Sequence, residues 1–457
     1  MFRSFAIGDL WYDRKTPKYL KPKVSVSNFR NMGFRNDFKG FLPLNTIAVI
    51  ILAAIIFDVV IHIVADILNL KMLQEKLPKP FQGVYDADQY RKSQDYLRVN
   101  TRFGWITGVI NLVAILLFWF QGGFPAVDNW VRSFGNGPVL TGLMYIGTLM
   151  FFYALLSQPF SIYATFVIEE RFGFNKTTWK TYMLDLLKGL VLAILLGAPL
   201  LAGILAFFEY AGSRAWLYCW AIIVLYMLVV QYIAPTWIMP LFNKFKPLEE
   251  GDLKTAILSC AKSIQFPLKR VYTMDGSKRS RKSNAFFTGF GKNKRIVLFD
   301  TLIQQHTVPE LVAVLAHEMG HYKKKHILQG ILLGILQTGF MLYLLSFMIS
   351  YQGLFDAFYM SRVSIYAGLI FFGMLFAPLD FFIGILMQIR SRSNEYQADR
   401  FSVKTTRNPG AMIDALKKLS VHNLSNLLPH PFYVFLNYSH PPVLKRIQAI
   451  DSISVIE

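Results

Sequence analysis

Two histidines and a glutamate with metal-site spacing lie in the segment His317-Glu318-Met319-Gly320-His321 of the 457-residue chain. In a helix, His317 and His321 lie one turn apart on the same face, so both imidazoles can bind one zinc ion. Glu318 can then act as a general base toward a water molecule that the metal acidifies. Gly320 disfavours a helix by about 1 kcal/mol relative to Ala and suits the close approach of another backbone. The spacing predicts a hydrolytic site with one zinc ion per chain.

A third metal ligand is expected from residues 393–399. Glu395 is the candidate, because two histidines and one carboxylate leave the fourth zinc position open, as a hydrolytic site requires. Asp399 lies one helical turn further on the same face, where it can accept a hydrogen bond from a ligand histidine and fix its tautomer. The alternative for this pair is a solvated helix face, and the metal motif upstream favours the ligand role.

Peptide hydrolysis also needs a hydrogen-bond donor for the oxyanion. His440 is the candidate, because the two prolines that follow it hold it on a rigid, non-helical loop. An exposed histidine without a role is the alternative. His326, His422 and His430 have no patterned partner, and we expect them at the surface.

Residues 284–290, which begin with Asn284, Ala285 and Phe286, resemble an edge strand that precedes the metal helix. Such a strand can bind the backbone of a substrate as an added strand, and a plain buried strand is the alternative. The neighbouring basic run 278–282 could attract a substrate carboxylate, but we favour a solvated basic loop.

The composition excludes an ordinary soluble enzyme. Hydrophobic residues make up 54% of the chain, charged residues only 17%, and there are 40 phenylalanines, which is typical of a protein that crosses the lipid bilayer several times. The net charge is +20, from 48 Lys and Arg against 28 Asp and Glu. In a membrane protein, basic residues of this kind lie in cytoplasmic loops, where they also meet anionic lipid, so we expect no nucleic-acid partner.

Seven apolar runs are long enough to cross a bilayer, since about 20 residues cover its core. They lie near 44–70, 104–121, 139–158, 183–208, 216–239, 327–350 and 364–388. The resulting organisation is a basic tail (1–43), five spans (44–239), the first part of a zinc protease domain (240–326), two spans (327–388) and the C-terminal part of that domain (389–457). Because a two-span hairpin separates the two polar segments, both emerge on the same side and can pack together.

The short connections predict that this side is the cytoplasm. Residues 71–103 hold seven Lys and Arg and 159–182 hold three, whereas each connection on the other face holds one. The nine basic residues of 1–43 fall on that other face, which contradicts the rule that basic residues concentrate on the cytoplasmic side. Within the polar segments we expect a helix over 250–264, two strands over 270–274 and 295–299, and the metal helix from near 309.

Asp58, His62 and Asp66 are spaced four apart in the first span, so they share one face that must look into protein or water. A satisfied polar stripe between helices is the favoured interpretation. The stripe is also the feature that would suit a transporter with a structural metal site. A structural zinc site would have four protein ligands and no use for Glu318, which argues against that class.

Several segments in the same order resemble the integral-membrane CAAX prenyl protease 1 family of zinc metalloproteases, over about residues 150–450. They are EERFGFNKTTW, MPLFNKFKPLEEGDLK, DGSKRSRKSNAFFTGFGKNKRIVLFDTL, VLAHEMGHYKKKH, SRSNEYQAD and YSHPP. Residues 1–43 do not match the family's start, and the 351–363 connection lacks the longer insertion of eukaryotic members. By this resemblance His317, His321 and Glu395 match zinc ligands, Glu318 the general base and His440 a substrate-contacting histidine.

The resemblance further matches Asn284 to a residue beside the substrate strand and Asp399 to a carboxylate behind a ligand histidine. It implies seven helices around a large water-filled chamber, in a bacterial inner membrane or the endoplasmic reticulum membrane. The implied activity is removal of the last three residues after a prenylated cysteine. A quality-control protease with unprenylated membrane-protein substrates is the alternative.

Overall fold

Seven helices of the computed structural model, which describes residues 44–268, 270–288 and 295–454, are long and apolar enough to cross a membrane. They agree with the seven predicted spans: Thr46–Lys71, Ala87–Phe120, Pro138–Glu169, Trp179–Tyr210, Gly212–Phe242, His326–Met348 and Ile365–Thr406. The predicted basic tail 1–43 lies outside the described residues. The prediction of a mainly helical, multi-pass membrane protein is confirmed.

The seven spans form a ring. Each span contacts the next one along the chain, with helix α1 (Gly123–Arg132) inserted between the second and third, and the seventh span contacts the first. In each span, only 6–22% of an apolar stretch of 18 residues is buried inside the protein. A solid bundle would bury an apolar stripe of every helix, so the spans surround an open interior, as the expected chamber requires.

One end of the ring is closed where the third, fourth and seventh spans converge. Gly142 permits this approach, because a Cβ there would stand 2.8 Å from Leu205 Cδ1 and 3.0 Å from Tyr366 Cβ. The largest apolar core cluster lies at this closed end, and its buried aromatic members include Trp119 and Phe371. The interior of the ring is therefore sealed by side-chain packing on the side opposite the metal motif.

The polar domain, formed by residues 240–326 and 389–457, contains a mixed sheet with the strand order β1-β2-β4-β3. The strands are β1 (Phe245–Pro247), β2 (Arg270–Met274), β3 (Ala285–Thr288) and β4 (Arg295–Phe299). β2 is parallel to β4, and β3 pairs antiparallel with β4 as an edge strand. The predicted strands 270–274 and 295–299 are confirmed, and β1 is an addition. Of the predicted strand 284–290, residues 289–290 lie outside the described residues.

The helices outside the spans that follow α1 are α2 (Asp252–Ser263), α3 (Asp300–Gln305), α4 (Val308–Lys323), α5 (Gln352–Asp356), α6 (Pro409–His422), α7 (Pro431–Asn437) and α8 (Val443–Ser454). Helix α4 carries the metal motif. A capping box starts it, in which the Glu310 side chain accepts a hydrogen bond from the Thr307 backbone N–H at 3.1 Å. Leu311, Leu315 and Met319 of α4 are buried in the core that includes the sheet, which fixes the helix axis.

Ion pairs attach the polar domain to the spans through the basic run 278–282. Arg279 donates from Nε and Nη2 to the two carboxylate oxygens of Asp185, at 2.7 and 2.9 Å. Lys282 Nζ lies 3.0 Å from a carboxylate oxygen of Glu169. The interpretation of this run as a solvated loop is wrong for these two residues, because both pair with carboxylates of membrane helices.

Candidate active site

Helix α4 brings the two predicted ligand histidines together. His317 and His321 lie one turn apart, and their Nε2 atoms are 3.1 Å from each other. His317 is 6% exposed and is held against the seventh span. Both rings therefore present a nitrogen to the same point, as the spacing predicted.

Glu395 completes this cluster from the seventh span, whose helix continues beyond its apolar part as far as Thr406. Its Oε2 lies 3.4 Å from His317 Nε2, and its Oε1 lies 3.3 Å from His321 Nε2. The ligand atoms of the three side chains all fall within 4.8 Å of one another. A rigid helix thus carries the third predicted ligand from the membrane into the polar domain.

These donors fit a zinc ion. Two imidazoles and one carboxylate are a common catalytic zinc set, and they leave a coordination position for water or substrate. Glu395 is 4% exposed, and its buried Oε2 has no well-aligned hydrogen bond within the described structure, with His317 Nε2 and Arg446 Nη1 each 3.4 Å away. Such an atom is costly to bury unless a cation or donor satisfies it, so the site is built for a positive charge.

Asp399 lies behind His317, as its spacing from Glu395 predicted. Its Oδ1 is 2.8 Å from His317 Nδ1 and is therefore placed to accept the proton on that nitrogen. Burial by itself lowers the pKa of the His317 imidazole, but hydrogen bonds to Asp399 and Glu395 outweigh it and raise the pKa to about 9. The carboxylate fixes the ring so that Nε2 faces the metal position.

Arg446 is a site residue that the sequence analysis missed. It donates from Nε and Nη2 to the two oxygens of Asp399, at 2.8 and 2.6 Å, and its Nη1 lies 3.4 Å from Glu395 Oε2. Arg446 lies on α8, six residues after His440, and belongs to no recognisable sequence motif. The guanidinium balances two buried carboxylates that would otherwise repel each other.

His326 is buried, so the expectation that it lies at the surface is wrong. It is 7% exposed, and its Nδ1 lies 3.1 Å from Nδ1 of His321. Lys325 turns the chain here through a left-handed conformation with φ 59°, which directs the first residue of the sixth span back toward α4. His422 is exposed, and His430 is partly exposed and caps α7.

Glu318 and Gly320 hold the positions that the motif predicted. Burial raises the pKa of Glu318 and outweighs the opposite influence of His317 and His321. A carboxylate with a raised pKa is a better proton acceptor near neutral pH. A Cβ on Gly320 would stand 3.1 Å from Phe401 Cδ1, which confirms the expected close approach of another helix.

A cavity of about 550 Å³ opens beside the cluster and is lined by Glu318, Glu395 and His440, among others. The His440 side chain is 65% exposed in it, with Nε2 3.4 Å from Glu395 Oε1. Asn284 and Ala285 line the cavity too. Phe286, the third residue predicted to contact substrate, lies instead against Phe299, with the two ring centroids 6.2 Å apart.

The polar stripe of the first span has partners. Asp66 accepts a hydrogen bond from Trp105 Nε1 of the second span at 2.9 Å, and His62 Nδ1 lies 3.3 Å from Asp58. This agrees with a satisfied stripe between helices.

The chain is similar to two described protein families and to several known proteins. Residues 66–244 match the family described as CAAX prenyl protease N-terminal, five membrane helices, and residues 247–454 match Peptidase family M48. A CAAX prenyl protease 1 homolog from Arabidopsis thaliana is 37% identical over 414 residues, which cover 86% of this chain and 96% of that protein. The chain belongs to the CAAX prenyl protease 1 family of M48 peptidases.

Other members of the CAAX prenyl protease 1 family extend the similarity to yeasts. The CAAX prenyl protease 1 of Saccharomyces cerevisiae is 35% identical over 414 residues, covering 84% of this chain and 90% of that one. The crystal structure of S. mikatae Ste24p superimposes with a TM-score of 0.84 at 32% identity, over 90% of this chain and all of that one. The protein is thus a membrane protease of the CAAX prenyl protease type with an M48 metalloprotease domain.

Proposed function

We propose that this protein is a zinc-dependent endopeptidase that removes the C-terminal tripeptide from prenylated proteins or peptides. One observation carries the proposal: His317, His321 and Glu395 converge beside Glu318 in a cavity that an edge strand borders. Two imidazoles, a carboxylate and an adjacent general base are the parts that metal-assisted peptide hydrolysis requires.

The side chains divide the chemistry between them. When bound, zinc supplies Lewis-acid polarisation of the scissile carbonyl and lowers the pKa of water. Glu318 accepts the proton of the attacking water and delivers it to the departing amine. His440, across the cavity, donates a ring N–H to the oxyanion. Arg446 acts through Asp399, which holds His317 in the ligand orientation.

The substrate backbone is expected to bind along β3. This strand is one of the two edge strands of the sheet, so its outer N–H and C=O groups can pair with an extended peptide. Asn284 and Ala285, at its start, line the cavity that holds Glu318. A peptide added there would run past the general base.

A prenylated substrate is supported by the plant and yeast relatives, which are named CAAX prenyl proteases. The apolar spans supply surface for an isoprenoid. Phe382 and Leu386 of the seventh span are 57% and 66% exposed. At a rise of 1.5 Å per residue they stand about 13–20 Å along the same helix from Glu395.

We further propose that the polar domain faces the cytoplasm of a eukaryotic cell from the endoplasmic reticulum membrane. The Lys and Arg residues of the connections support this orientation. The plant and yeast relatives favour this membrane over a bacterial one.

The test is cleavage of a farnesylated C-terminal peptide by the detergent-purified protein, beside the Glu318→Gln variant and an unprenylated peptide of the same sequence. We expect release of the tripeptide from the farnesylated peptide alone, and loss of release in the variant. Equal, Glu318-dependent cleavage of both peptides would reject the prenyl specificity and favour the quality-control alternative. Release that persists in Glu318→Gln would reject the assigned base.

A further inference from the structure

A second cavity lies at the closed end of the ring, on the side opposite the candidate active site. It has a volume of about 550 Å³ and lies where the third and seventh spans begin and the fourth ends. Its charged lining residues are Arg132, Glu209 and Arg362. The proposed hydrolysis uses none of them.

Arg132 is held in one orientation at the cavity wall. Its Nε donates to Asp128 Oδ2 at 2.8 Å, and the guanidinium carbon lies 5.5 Å from the ring centre of Tyr366. Asp128 is only 3% exposed and also accepts a hydrogen bond from the Tyr366 hydroxyl. A guanidinium fixed in this way loses little entropy when it binds an oxyanion.

Arg362 and Glu209 add one positive and one negative group to the same cavity. Both are exposed, and neither forms an ion pair within the described part of the chain. Since Asp128 already balances Arg132, the cavity offers Arg362 as an unbalanced cation and Glu209 as a separate carboxylate. This combination suits a ligand that carries both an anion and a cation.

The polar groups around these side chains are also short of partners. The hydroxyl oxygen of Ser364, another lining residue, is buried without a hydrogen-bond partner among the described residues. The third and seventh spans both begin at this cavity, and no side chain caps their first N–H groups. Unpaired hydroxyl and backbone N–H donors beside two arginines favour a phosphate group as the anionic part of the ligand.

The position of the cavity identifies a lipid as the source of the phosphate. The cavity lies at the ends of three membrane spans, beside the exposed apolar residues Leu140, Tyr210 and Val363. We propose that it binds the headgroup of phosphatidylethanolamine, with the phosphate at Arg132 and Arg362 and the primary ammonium at Glu209. The acyl chains then lie along the apolar spans.

Native mass spectrometry of the delipidated full chain in detergent tests the proposal, with phosphatidylethanolamine and phosphatidylglycerol as probes. We expect one phosphatidylethanolamine per chain, bound about tenfold more weakly by Arg362→Gln because a charge-assisted hydrogen bond is lost. Glu209→Gln should remove the preference for phosphatidylethanolamine and keep phosphatidylglycerol binding. The control is Arg214→Gln, which changes an exposed arginine at the start of the fifth span, outside the cavity lining.

Three outcomes would overturn the proposal. They are equal lipid binding by the wild type and Arg362→Gln, an equal loss in Arg214→Gln, and displacement of the lipid by millimolar inorganic phosphate. The last outcome would assign the cavity to a free anion. Because no readout depends on peptide cleavage, failure of the proposed protease function would leave this test unaffected.

Discussion

Nδ1 of His326 lies 3.1 Å from Nδ1 of His321, so a buried imidazole supports this ligand on the side away from Glu395. The other ligand histidine, His317, has the carboxylate of Asp399 in the corresponding place. The two ligand histidines are therefore oriented by different groups, His321 by an imidazole and His317 by a carboxylate.

His326→Ala should weaken zinc binding by about 10–100-fold, because His321 loses the partner that fixes its tautomer. The measurement is zinc retained by the purified protein against increasing chelator. His422→Ala is the matched control, since it removes an exposed histidine of the same domain. Wild-type zinc retention in His326→Ala would contradict a positioning role.

Glu395→Gln should lose bound zinc, because a neutral amide is a poor substitute for the carboxylate ligand. Metal analysis of the purified variant gives the zinc content per chain. Glu318→Gln is the control, since it should keep zinc while losing hydrolysis. One zinc per chain in Glu395→Gln would show that the third ligand is another residue.

His440→Ala should slow peptide cleavage by about 10²–10³-fold with zinc retained, because it removes a donor to the oxyanion rather than a ligand. Turnover and zinc content are measured on the same preparation. Unchanged turnover would leave His440 as an exposed loop residue.

Arg446→Ala should destabilise the polar domain by about 3–5 kcal/mol, because Asp399 and Glu395 would remain as buried charges without their shared cation. Thermal unfolding in detergent reports this loss. The exposed neighbour Lys445 provides the control variant Lys445→Ala, which should unfold like the wild type. Equal unfolding temperatures for the two variants would refute the role of Arg446.

Gly320→Val should lower stability and zinc content, because its side chain would force α4 away from the seventh span, where Phe401 and Ala398 approach to 3.1–3.3 Å of a Cβ. Overpacking of this kind costs about 1–3 kcal/mol. Gly330→Val is the comparison, since a Cβ at Gly330 meets nothing within 4 Å. The two variants are compared by thermal unfolding and metal analysis.

Local sequence patterns by themselves determined the membrane spans and which candidate site residues share a helix face. Apolar runs of sufficient length located all seven spans, because a bilayer demands about 20 apolar residues per crossing. The helical period put His317 and His321 on one face of α4, and Glu395 and Asp399 on one face of the seventh span. Gly320 indicated the close contact that the folded chain makes with Phe401.

Only the tertiary structure decided which distant groups meet. Arg446, Asp399 and Glu395 come together because α8 packs against the seventh span, and no spacing within the sequence encodes that contact. The left-handed turn at Lys325 determines that His326 faces His321 rather than solvent. Charge pairs and buried polar contacts depend on distances through space. Hydrophobic periodicity indicates only which face of a single helix or strand is buried, so it could not predict these contacts.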